Sequence, residues 1–522
     1  MFPIHLDASS ATTLQTQIYE KVRDAIVSGV LRPRASLPSS REVARELKVS
    51  RNTIVLAFDK LATEGYLKMR SGSGTFVADP LPDDCVRPIS GSIPIGAPSS
   101  KLEHPERAVR HPPVLLKAET LQMVRHGVGD HEIDFRYCSA NWRNFPLREW
   151  RQFMIENISR TSSNISGYGP PEGLKELREA IAGHVSANRA IAVHPDQVIV
   201  TAGAQEALNL ISRLFIQPSV RVAVETPCYR GASFVFESYG CTLIPLSLDD
   251  EGADVASLDG SGASLIYVTP SHQFPTGVTM SRRRRFELLS WAERNGAYII
   301  EDDYDSDFRY DGPPLAALAG LNKNSSVIYL GTFSKSVGSG LRTGYVIVPK
   351  QLIEPMRRAK GLASCGNPWI EQVVLADFIG RGGFARHLRR IRQSYGQTRS
   401  ALLKALDEHF GPVDISGSAG GMHIMWTLPE HFPVAHEVLA IAAAAGVGVY
   451  TVEKAGAHEI GTPRYPRSLV LGYALLTPKA VREGVSRIAH GLKRAGISVS
   501  TISRQSEPTR REQVHAPIGN LG

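Results

Sequence analysis

The sequence has few cysteines, and their arrangement gives no sign of a metal site or a disulfide framework. The five cysteines of the 522-residue chain are scattered and include no Cys-x-x-Cys pair. Odd, dispersed cysteines are typical of a protein that works in a reducing compartment. We therefore expect a cytoplasmic protein without a zinc site or structural disulfide bonds, and we predict no metal ligands.

Long apolar runs are also missing. No stretch approaches the ~18 consecutive apolar residues that a membrane-spanning helix requires. The first ten residues, MFPIHLDASS, lack the basic segment followed by an apolar segment that marks a secretion signal. The sequence therefore predicts no membrane partner and no export.

The chain has only a small excess of positive over negative side chains. The chain has 59 Lys and Arg against 51 Asp and Glu, a formal net charge of +8, with 42% hydrophobic and 21% charged residues. This composition is ordinary for a globular protein and excludes disorder of the whole chain. The basic excess permits nucleic-acid binding but does not require it.

Residues 12–78 have the pattern of a small helical unit that ends in a β-hairpin. One predicted helix has apolar residues at four-residue intervals, a second begins with the capping box Ser39–Glu42, and a third follows a turn at residues 48–50. Strands predicted at 67–70 and 75–77 flank a Ser-Gly-Ser-Gly loop. The apolar positions of the first helix are Leu14, Ile18, Val22 and Ile26, and those of the third are Ile54, Phe58 and Leu61.

This order of elements is the plan of a winged helix-turn-helix. Residues at the start of the third helix face outward, where they can reach base edges in a major groove. Arg41 begins the preceding helix, a position that favours a phosphate. The predicted contacts with double-stranded operator DNA are Arg41, Ser50, Arg51, Asn52, Thr53, Lys68 and Arg70. Judged by charge alone, these side chains fit a merely solvated surface equally well.

The rest of the chain divides by composition. Residues 79–130 are punctuated by proline and predict a semi-extended linker. Residues 131–495 alternate apolar strands with helices, which predicts an α/β fold with a mostly parallel sheet covered on both faces. Residues 496–522 lack periodicity and predict a disordered tail. The strands expected in the α/β part are 198–201, 220–225, 265–269, 297–301, 327–330 and 345–348.

Lys335 follows the strand predicted at 327–330, where α/β sheets bind ligands. A lysine of lowered pKa can form a Schiff base with an aldehyde, although most lysines near loops are simply solvated. Thr332, Ser334 and Arg342 flank it and are suited to hold a phosphate. Asp302 follows the neighbouring strand, where a carboxylate can pair with a protonated pyridine nitrogen. A metal cluster or a plain acidic turn would account for the carboxylates alone.

Two further strand ends carry compatible groups. Gly203, Ala204 and Gln205 open a helix whose backbone N–H groups would form an anion site. Tyr229 can stack on a flat ring, and Tyr304 can hydrogen-bond a ring hydroxyl. Either tyrosine could equally be an ordinary residue of the hydrophobic core. Together these parts predict one site for pyridoxal 5′-phosphate.

Two regions of the sequence resemble known protein families. Residues 37–77, LPSSREVARELKVSRNTIVLAFDKLATEGYLKMRSGSGTFV, resemble the GntR-family DNA-binding domain, with Arg34 where that family usually has glycine. The segments TAGAQEALNLISRLF, ETPCY, TPSHQFPTG, IIEDDYDSDFRYDG and YLGTFSKSVGSGLRTGY resemble a fold-type I aminotransferase. Their combination resembles the MocR/GabR family of transcriptional regulators, over about residues 12–78 and 131–490.

The resemblance implies Lys335 as the lysine bound to the cofactor and Asp302 as the partner of the pyridine nitrogen. It also implies Tyr304 at the ring oxygen, Tyr229 stacked on the ring, and Ala204, Gln205, Thr332, Ser334 and Arg342 around the phosphate. Tyr168 matches a tyrosine that reaches the phosphate of a neighbouring subunit, which implies a homodimer. Arg467 is our choice for the carboxylate of an effector, with Arg464 as the rival.

One departure from true aminotransferases bears on activity. Those enzymes usually carry Asn-Pro-Thr-Gly, whose Asn hydrogen-bonds the ring hydroxyl, whereas this chain has Phe274-Pro275-Thr276-Gly277. His272 or Gln273 is a candidate substitute for the amide. We therefore expect a transcriptional regulator whose aminotransferase-like region senses a small amine, an amino acid or a B6 vitamer. The alternative is a working aminotransferase that carries a DNA-binding module. The sequence does not identify the effector, the operator or the sign of regulation.

Overall fold

The computed structural model describes residues 6–7, 12–70, 74–79, 81–82, 131–137, 140–160, 166–312, 315–321 and 326–499. The chain divides into two compact units, Met1–Arg110 and His111–Gly522. Most of the predicted linker at 79–130, and the predicted tail from residue 500 onward, lie outside the described residues. Ile497 and Val499 pack against the core of the second unit, so the packed chain extends to Val499 rather than ending at 495. Over the described ranges, no helix has the length and hydropathy to cross a bilayer.

The N-terminal unit has three helices and a small antiparallel sheet. Its elements are α1 Leu14–Val27, β1 Ser36–Leu37, α2 Ser40–Leu47, α3 Arg51–Thr63, β2 Leu67–Arg70 and β3 Gly74–Val77. The sheet order is β1-β3-β2, so the predicted hairpin is confirmed and gains a short third strand. The core contains Ile18, Val22 and Ile26 from α1 and Ile54, Phe58 and Leu61 from α3. Each such side chain contributes about 1.5–3 kcal/mol when fully buried, which explains the periodicity of the sequence.

The helix ends in this unit are fixed by local hydrogen bonds. The capping box is confirmed, because the backbone N–H of Ser39 donates to Glu42 at 2.8 Å and that of Glu42 donates to Ser39 Oγ at 3.3 Å. Lys48 ends α2 in the left-handed conformation (φ +54°), and the Ser50 side chain caps α3 by accepting from the N–H of Thr53. The turn between the two helices is therefore set by the sequence itself.

The second unit is an α/β structure with a smaller C-terminal sheet. Its helices are α4 Leu147–Arg160, α5 Lys175–Arg189, α6 Ala204–Phe215, α7 Arg230–Ser238, α8 Arg282–Asn295, α9 Leu318–Leu321, α10 Ile353–Ser364, α11 Trp369–Gly380, α12 Gly383–Phe410, α13 Ala435–Ala444 and α14 Pro478–Arg494. Its first strands are β4 Ile133–Asp134, β5 Val198–Thr201, β6 Arg221–Glu225, β7 Cys228–Tyr229, β8 Thr242–Leu246, β9 Leu248–Asp249 and β10 Gly252–Ala253. The remaining strands are β11 Leu265–Val268, β12 Tyr298–Asp303, β13 Val327–Thr332, β14 Gly344–Ile347, β15 Asp414–Ser416, β16 His423–Thr427, β17 Val447–Gly448, β18 Tyr450–Thr451, β19 Ala457–His458 and β20 Ser468–Gly472.

The central sheet has the order β5-β14-β13-β12-β11-β6-β8. All neighbours are parallel except at β14, which runs antiparallel to both β13 and β5. The mostly parallel sheet is thus as predicted, whereas the direction of β14 and the edge strand β8 were not predicted. Only eleven residues separate Thr332 from Gly344, and parallel neighbours usually need a crossover of a dozen or more.

The smaller sheet has the order β15-β16-β20-β18 and is antiparallel. The 28-residue helix α12 and the C-terminal helix α14 pack together in the same core as this sheet. Residues from its strands reach the edge of the central sheet, which places His423 of β16 next to His272.

Candidate cofactor site and nucleic-acid interface

The carboxyl ends of the central strands meet along one edge of the sheet. Thr332 at the end of β13 pairs with Gly344, which in turn pairs with Thr201 at the end of β5. On the other side, Asp303 at the end of β12 pairs with Gly331. Segments that lie far apart in the sequence therefore arrive at one place, where α/β proteins bind their ligands.

Asp302 is buried at this edge, with 5% of its surface exposed. Tyr267 of the adjacent strand β11 donates its hydroxyl to the Asp302 carboxylate at 2.7 Å. Burial raises the pKa of Asp302 to about 6, while the Tyr267 hydrogen bond and the charge of Lys335 oppose part of that increase. A buried carboxylate of this kind becomes fully ionised when a cation approaches it.

Lys335 lies just beyond β13, in a single π-helical turn formed by Ser334–Gly338. Such turns are rare and often occur at functional positions. The electrostatic influence of Lys335 on both Asp302 and His423 places its ammonium near these two groups. The structure thus brings together the lysine and the carboxylate that the sequence singled out.

A cradle for an anion lies at the start of α6. Gly203 has φ +90° and ψ 176°, and a Cβ at this position would lie 2.9 Å from Nη2 of Arg342. Arg342 Nη2 donates to the Ala202 carbonyl at 2.8 Å, and the hydroxyls of Thr332 and Ser334 are 3.0 Å apart. The helix N-terminus, the guanidinium and the hydroxyls together suit a phosphate group.

Gln205 adds a polar atom to the first turn of α6. Its Nε2 donates to the Gly231 carbonyl at 3.0 Å, which fixes the orientation of the amide. Its Oε1 is buried and has no hydrogen-bond partner, and such a group calls for an explanation, for example a partner that the chain alone does not supply. An amide oxygen accepts hydrogen bonds and a phosphate ester has none to donate to it, so the fit to a phosphate ester rests on the cradle alone.

Aromatic rings from three predicted site segments pack together at Phe274. Phe274 is 3% exposed and makes edge contacts with Tyr229 and Tyr304, with both pairs of ring centroids 6.1 Å apart. Phe274 stands where aminotransferases usually have the Asn of Asn-Pro-Thr-Gly. A phenyl ring makes no amide hydrogen bond, so that function is absent at this position.

The two substitutes proposed for the amide have different surroundings. Gln273 is 1% exposed, and its amide is committed to Pro227, Phe274 and Thr276 at 2.7 Å each. His272 Nδ1, in contrast, lies 3.3 Å from the Tyr304 hydroxyl. Of the two residues, His272 is therefore the one that contacts the tyrosine predicted at the ring oxygen.

Several buried groups near the site were not predicted. Burial raises the pKa of Glu225, at the end of β6, to about 7, and Thr269 and Gln273 donate to its carboxylate. Arg189 of α5 pairs with Asp303 at 2.7 Å behind Asp302. Glu225 could have been predicted from its position at the end of an apolar strand, where the other candidate site residues also lie. Nothing in the local pattern around Arg189 marked it.

One cluster has the spacing of metal ligands. Donor atoms of His272, Asp305 and His423 lie within 4.8 Å of one another. His272 Nδ1 contacts Asp305 directly at 2.9 Å, and the Nε2 atoms of the two histidines face the carbonyls of Gly417 and Pro275. Three of the four imidazole nitrogens and the Asp305 carboxylate therefore have protein partners without a metal ion.

The three remaining predicted residues lie in different surroundings. Tyr168 is 95% exposed. The Arg467 guanidinium donates to main-chain carbonyls, among them that of Phe432 at 2.6 Å and those of Pro429 and Leu428. Arg464 is exposed. The hydrogen bonds of Arg467 tie it to the loop after β16, so its role toward an effector stays a prediction.

Most of the predicted DNA-contacting residues are exposed on the N-terminal unit. Arg41, Ser50, Arg51, Asn52 and Lys68 are exposed and Thr53 is half-buried. Arg51 Nε lies 3.4 Å from Ser40 Oγ, so the starts of α2 and α3 are neighbours. Arg70 belongs to β2. Arg34 has φ +69°, which explains the glycine usual in that family, and it pairs with Asp79 at 2.6 Å.

Together, the fold and the site define a class: a GntR-type helix-turn-helix region followed by a pyridoxal-phosphate-dependent aminotransferase domain of fold type I. Two family models match, "Bacterial regulatory proteins, gntR family" over residues 14–77 and "Aminotransferase class I and II" over residues 136–488. The chain belongs to the MocR/GabR type of transcriptional regulators, which combine these two parts.

Similar proteins support this assignment along nearly the whole chain. The chain is 33% identical to "Probable rhizopine catabolism regulatory protein MocR" of Rhizobium meliloti, covering 92% of this chain and 94% of that protein. It is 32% identical to the "HTH-type pyridoxine biosynthesis transcriptional regulator PdxR" of Corynebacterium glutamicum, over 81% and 84%.

Solved structures of enzymes resemble the second unit. The crystal structure of Pyrococcus horikoshii kynurenine aminotransferase has a TM-score of 0.64 and 29% identity, and the match covers 74% of this chain and 96% of that chain. The aminotransferase fold implies pyridoxal phosphate as the cofactor.

Proposed function

We propose that the chain is a DNA-binding transcriptional regulator, and that its aminotransferase-like region senses an amino compound or a B6 vitamer. Two observations support the proposal: the buried Asp302 is close enough to Lys335 to respond to its charge, and Gly203 with Arg342 forms an anion cradle. A regulator of this kind acts where the chromosome is, so we place it in the cytoplasm.

Each residue of the site has a proposed task. When bound, pyridoxal phosphate supplies an aldehyde that combines with amines and a ring that accepts electrons. Lys335 holds the aldehyde carbon, Asp302 keeps a proton on the pyridine nitrogen, and Tyr229 covers the ring. Tyr304 faces the ring oxygen. The phosphate is held by Ala204, Gln205, Thr332, Ser334 and Arg342.

The N-terminal unit has the task of reading the operator. Arg51, Asn52 and Thr53 begin α3 and are proposed to enter the major groove, with Ser50 capping that helix. Arg41, Lys68 and Arg70 are proposed to contact phosphates. The effector changes the affinity for DNA only if it binds two arrangements of the protein differently.

We also propose that the protein is a homodimer. Tyr168, almost fully exposed, is the residue we assign to the phosphate of the neighbouring subunit. Two DNA-binding units in a dimer favour paired half-sites in the operator. Sedimentation of the cofactor-loaded protein at micromolar concentration tests this, and a monomer that retains the cofactor would contradict it.

The decisive test of function is a ligand screen on the purified protein. Amines, amino acids and B6 vitamers are added one at a time, and the visible absorbance of the cofactor is compared with operator affinity in a DNA-shift titration. We expect at least one compound to change both. A steady-state amine–keto acid assay tests the alternative, since turnover without any change in DNA binding would mark a working aminotransferase.

A further inference from the structure

The His272 imidazole sits in a slot formed by three glycines. A Cβ at Gly421 would lie 2.1 Å from Cε1 of the ring, and Cβ atoms at Gly277 and Gly417 would lie 2.9 Å and 3.1 Å from its Nε2. All three glycines have φ between +72° and +78°, a region that other residues enter only at a cost. Gly421 is thus required by the ring itself, whereas Gly277 and Gly417 also approach each other closely, with a Cβ at Gly277 only 2.3 Å from Gly417 Cα, and together the three glycines confine the ring.

The contacts of the two ring nitrogens define where the hydrogens are. Nε2 is 3.2 Å from the carbonyl oxygen of Gly417, which can only accept. Nδ1 is 2.9 Å from the Asp305 carboxylate and 3.3 Å from the Tyr304 hydroxyl. The side chains of His272 and Asp305 are only 3% and 2% exposed. Each ring nitrogen therefore has a hydrogen-bond acceptor within reach, an arrangement suited to a ring that carries both hydrogens beside the Asp305 carboxylate.

The hydroxyl of Tyr304 is coupled to this pair. It donates to the main-chain carbonyl of His272 at 3.0 Å and lies against Nδ1 of the same residue. Phe274, at the position of the usual amide, contacts the Tyr304 ring only through its edge. Because Gln273 is committed elsewhere, His272 is the side chain placed to set the hydrogen bonding of this hydroxyl.

Other charged and titratable groups surround the pair. His423 is neutral, because burial and the charge of His272 hold its pKa well below the usual range. A cavity of about 20 Å³, roomy enough for one water, adjoins His272 and Asp305. Arg189 and Arg309 line this cavity with the pair, and the groups that contact the pair or interact with it electrostatically are Asp302, Tyr304, Tyr310, His423 and Tyr473.

We propose that His272, held by Asp305, is a positioning residue that orients the Tyr304 hydroxyl and keeps a positive charge beside the ring oxygen of the cofactor. It does this in place of the amide that Phe274 has replaced. The inference rests on the proposed function, in which Tyr304 faces that oxygen. A positive charge at this place favours the deprotonated state of the cofactor, and its loss favours the protonated state.

The test is a pH titration of the visible absorbance of the cofactor-loaded protein. His272→Gln keeps a donor at the place of Nε2 but loses both the charge and Nδ1. We expect its absorbance midpoint to move to higher pH by about 1–2 units, the size expected from a charge within 4–6 Å. His272→Asn keeps a donor near Nδ1 and should show a smaller shift. His423→Gln, which keeps the contact with the Pro275 carbonyl, should titrate like the wild type.

A double variant tests whether the effect passes through Tyr304. In a Tyr304→Phe background, adding His272→Gln should still move the midpoint, because the charge acts through space, but by less than in the wild type, because the hydroxyl that His272 orients is already gone. Thermal unfolding of the cofactor-free variants shows that each is folded.

Three outcomes would count against one or the other idea. If the wild type titrates and His272→Gln has the same midpoint, His272 only fills its slot and the inference is wrong. If the wild type gives no cofactor absorbance that depends on Lys335, the proposed function itself fails. A stoichiometric metal whose removal by chelator moves the wild-type midpoint would make this cluster a metal site and overturn the positioning role.

Discussion

The Arg342 guanidinium lies directly against the backbone of Gly203, with Nη2 2.9 Å from the place a Cβ would take. The two residues are 139 positions apart in the chain and meet because β14 pairs with β5 at Thr201 and Gly344. The contact requires a residue without a side chain and leaves backbone N–H groups of α6 beside a cation. An anion cradle of this form depends on both partners.

Gly203→Ala should therefore weaken cofactor retention. The new Cβ would push the guanidinium away, and φ +90° with ψ 176° is a region nearly exclusive to glycine, costing about 1–3 kcal/mol for other residues. A cost of that size corresponds to a loss of affinity of about 5- to 150-fold. Equilibrium dialysis followed by absorbance measures it. Gly296→Ala is the matched control, since Gly296 also has positive φ but has no atom within 4 Å of the new Cβ. Equal retention by both variants would contradict the cradle.

Asp302→Asn should leave the fold intact and reduce affinity for the cofactor. The amide keeps the hydrogen bond from Tyr267 but cannot stabilise a protonated pyridine nitrogen. Hydrogen bonds to charged groups contribute about 1.5–3 kcal/mol, so the dissociation constant should rise by about 10–100-fold. Tyr267→Phe is the informative comparison, because it removes the neighbour and keeps the carboxylate. If Asp302→Asn bound the cofactor as tightly as the wild type, Asp302 would not be the pyridine partner.

The pH dependence of stability should reveal Glu225. In the folded protein its pKa is raised to about 7, from an ordinary 4.5, chiefly by burial. Between these values the unfolded chain has lost the proton and the folded chain still holds it, so stability falls as the pH rises through this window and stays lower above about pH 7. Below pH 4.5 both states are protonated and there is no effect.

Glu225→Gln removes this titration and keeps the acceptor for Thr269. Its Tm relative to the wild type, measured on cofactor-free protein, should increase between pH 5 and pH 8. Glu176→Gln, at an exposed position on α5, should show a constant difference over the same range. A flat difference for Glu225→Gln would mean that the buried carboxyl ionises normally.

The sequence predicted that strand ends carrying the candidate site residues would lie together, but it did not predict the order of the strands. Lys335, Asp302 and Gly203 each follow a buried apolar strand, and parallel strands bring their ends together whatever their order. The order itself, and the antiparallel direction of β14, depend on contacts between distant segments that no local pattern contains. The same holds for Tyr267 and Arg189, which touch Asp302 and Asp303 through the sheet and the packing of α5.

The N-terminal unit was predictable for the opposite reason. Its helices are short and begin with side-chain caps at Ser39 and Ser50, so local hydrogen bonds fix their ends. The strand β1 was not predicted, because Ser36 and Leu37 gain strand geometry only by pairing with β3. Where a few neighbouring residues determine the backbone conformation, local sequence patterns are sufficient to predict the structure.

Arg467 and Arg464 can be separated by stability. Because Arg467 donates to carbonyls of the loop after β16, Arg467→Met leaves those acceptors without a partner and should cost about 1–3 kcal/mol. A lower Tm is expected. Arg464→Ala, at an exposed position, should change stability by less than about 0.5 kcal/mol. Effector titrations on both variants then assign the carboxylate partner. A normal Tm together with a lost effector response in Arg467→Met would show that its main task is the effector.

The two units have separate proposed tasks, DNA binding and cofactor binding, and single substitutions should affect one task at a time. Arg51→Ala should weaken operator binding by about 1–3 kcal/mol, the value of one good base contact, and leave cofactor absorbance unchanged. Lys21→Ala, on the exposed side of α1, removes the same charge away from α3 and controls for general electrostatics. Lys335→Ala should do the reverse of Arg51→Ala, because it removes the amine that holds the cofactor and leaves the DNA-binding unit intact. A DNA-shift titration and a reporter assay with and without effector measure both properties. Should Lys335→Ala retain a full effector response, sensing would not pass through this lysine, although the fold and the family would stand.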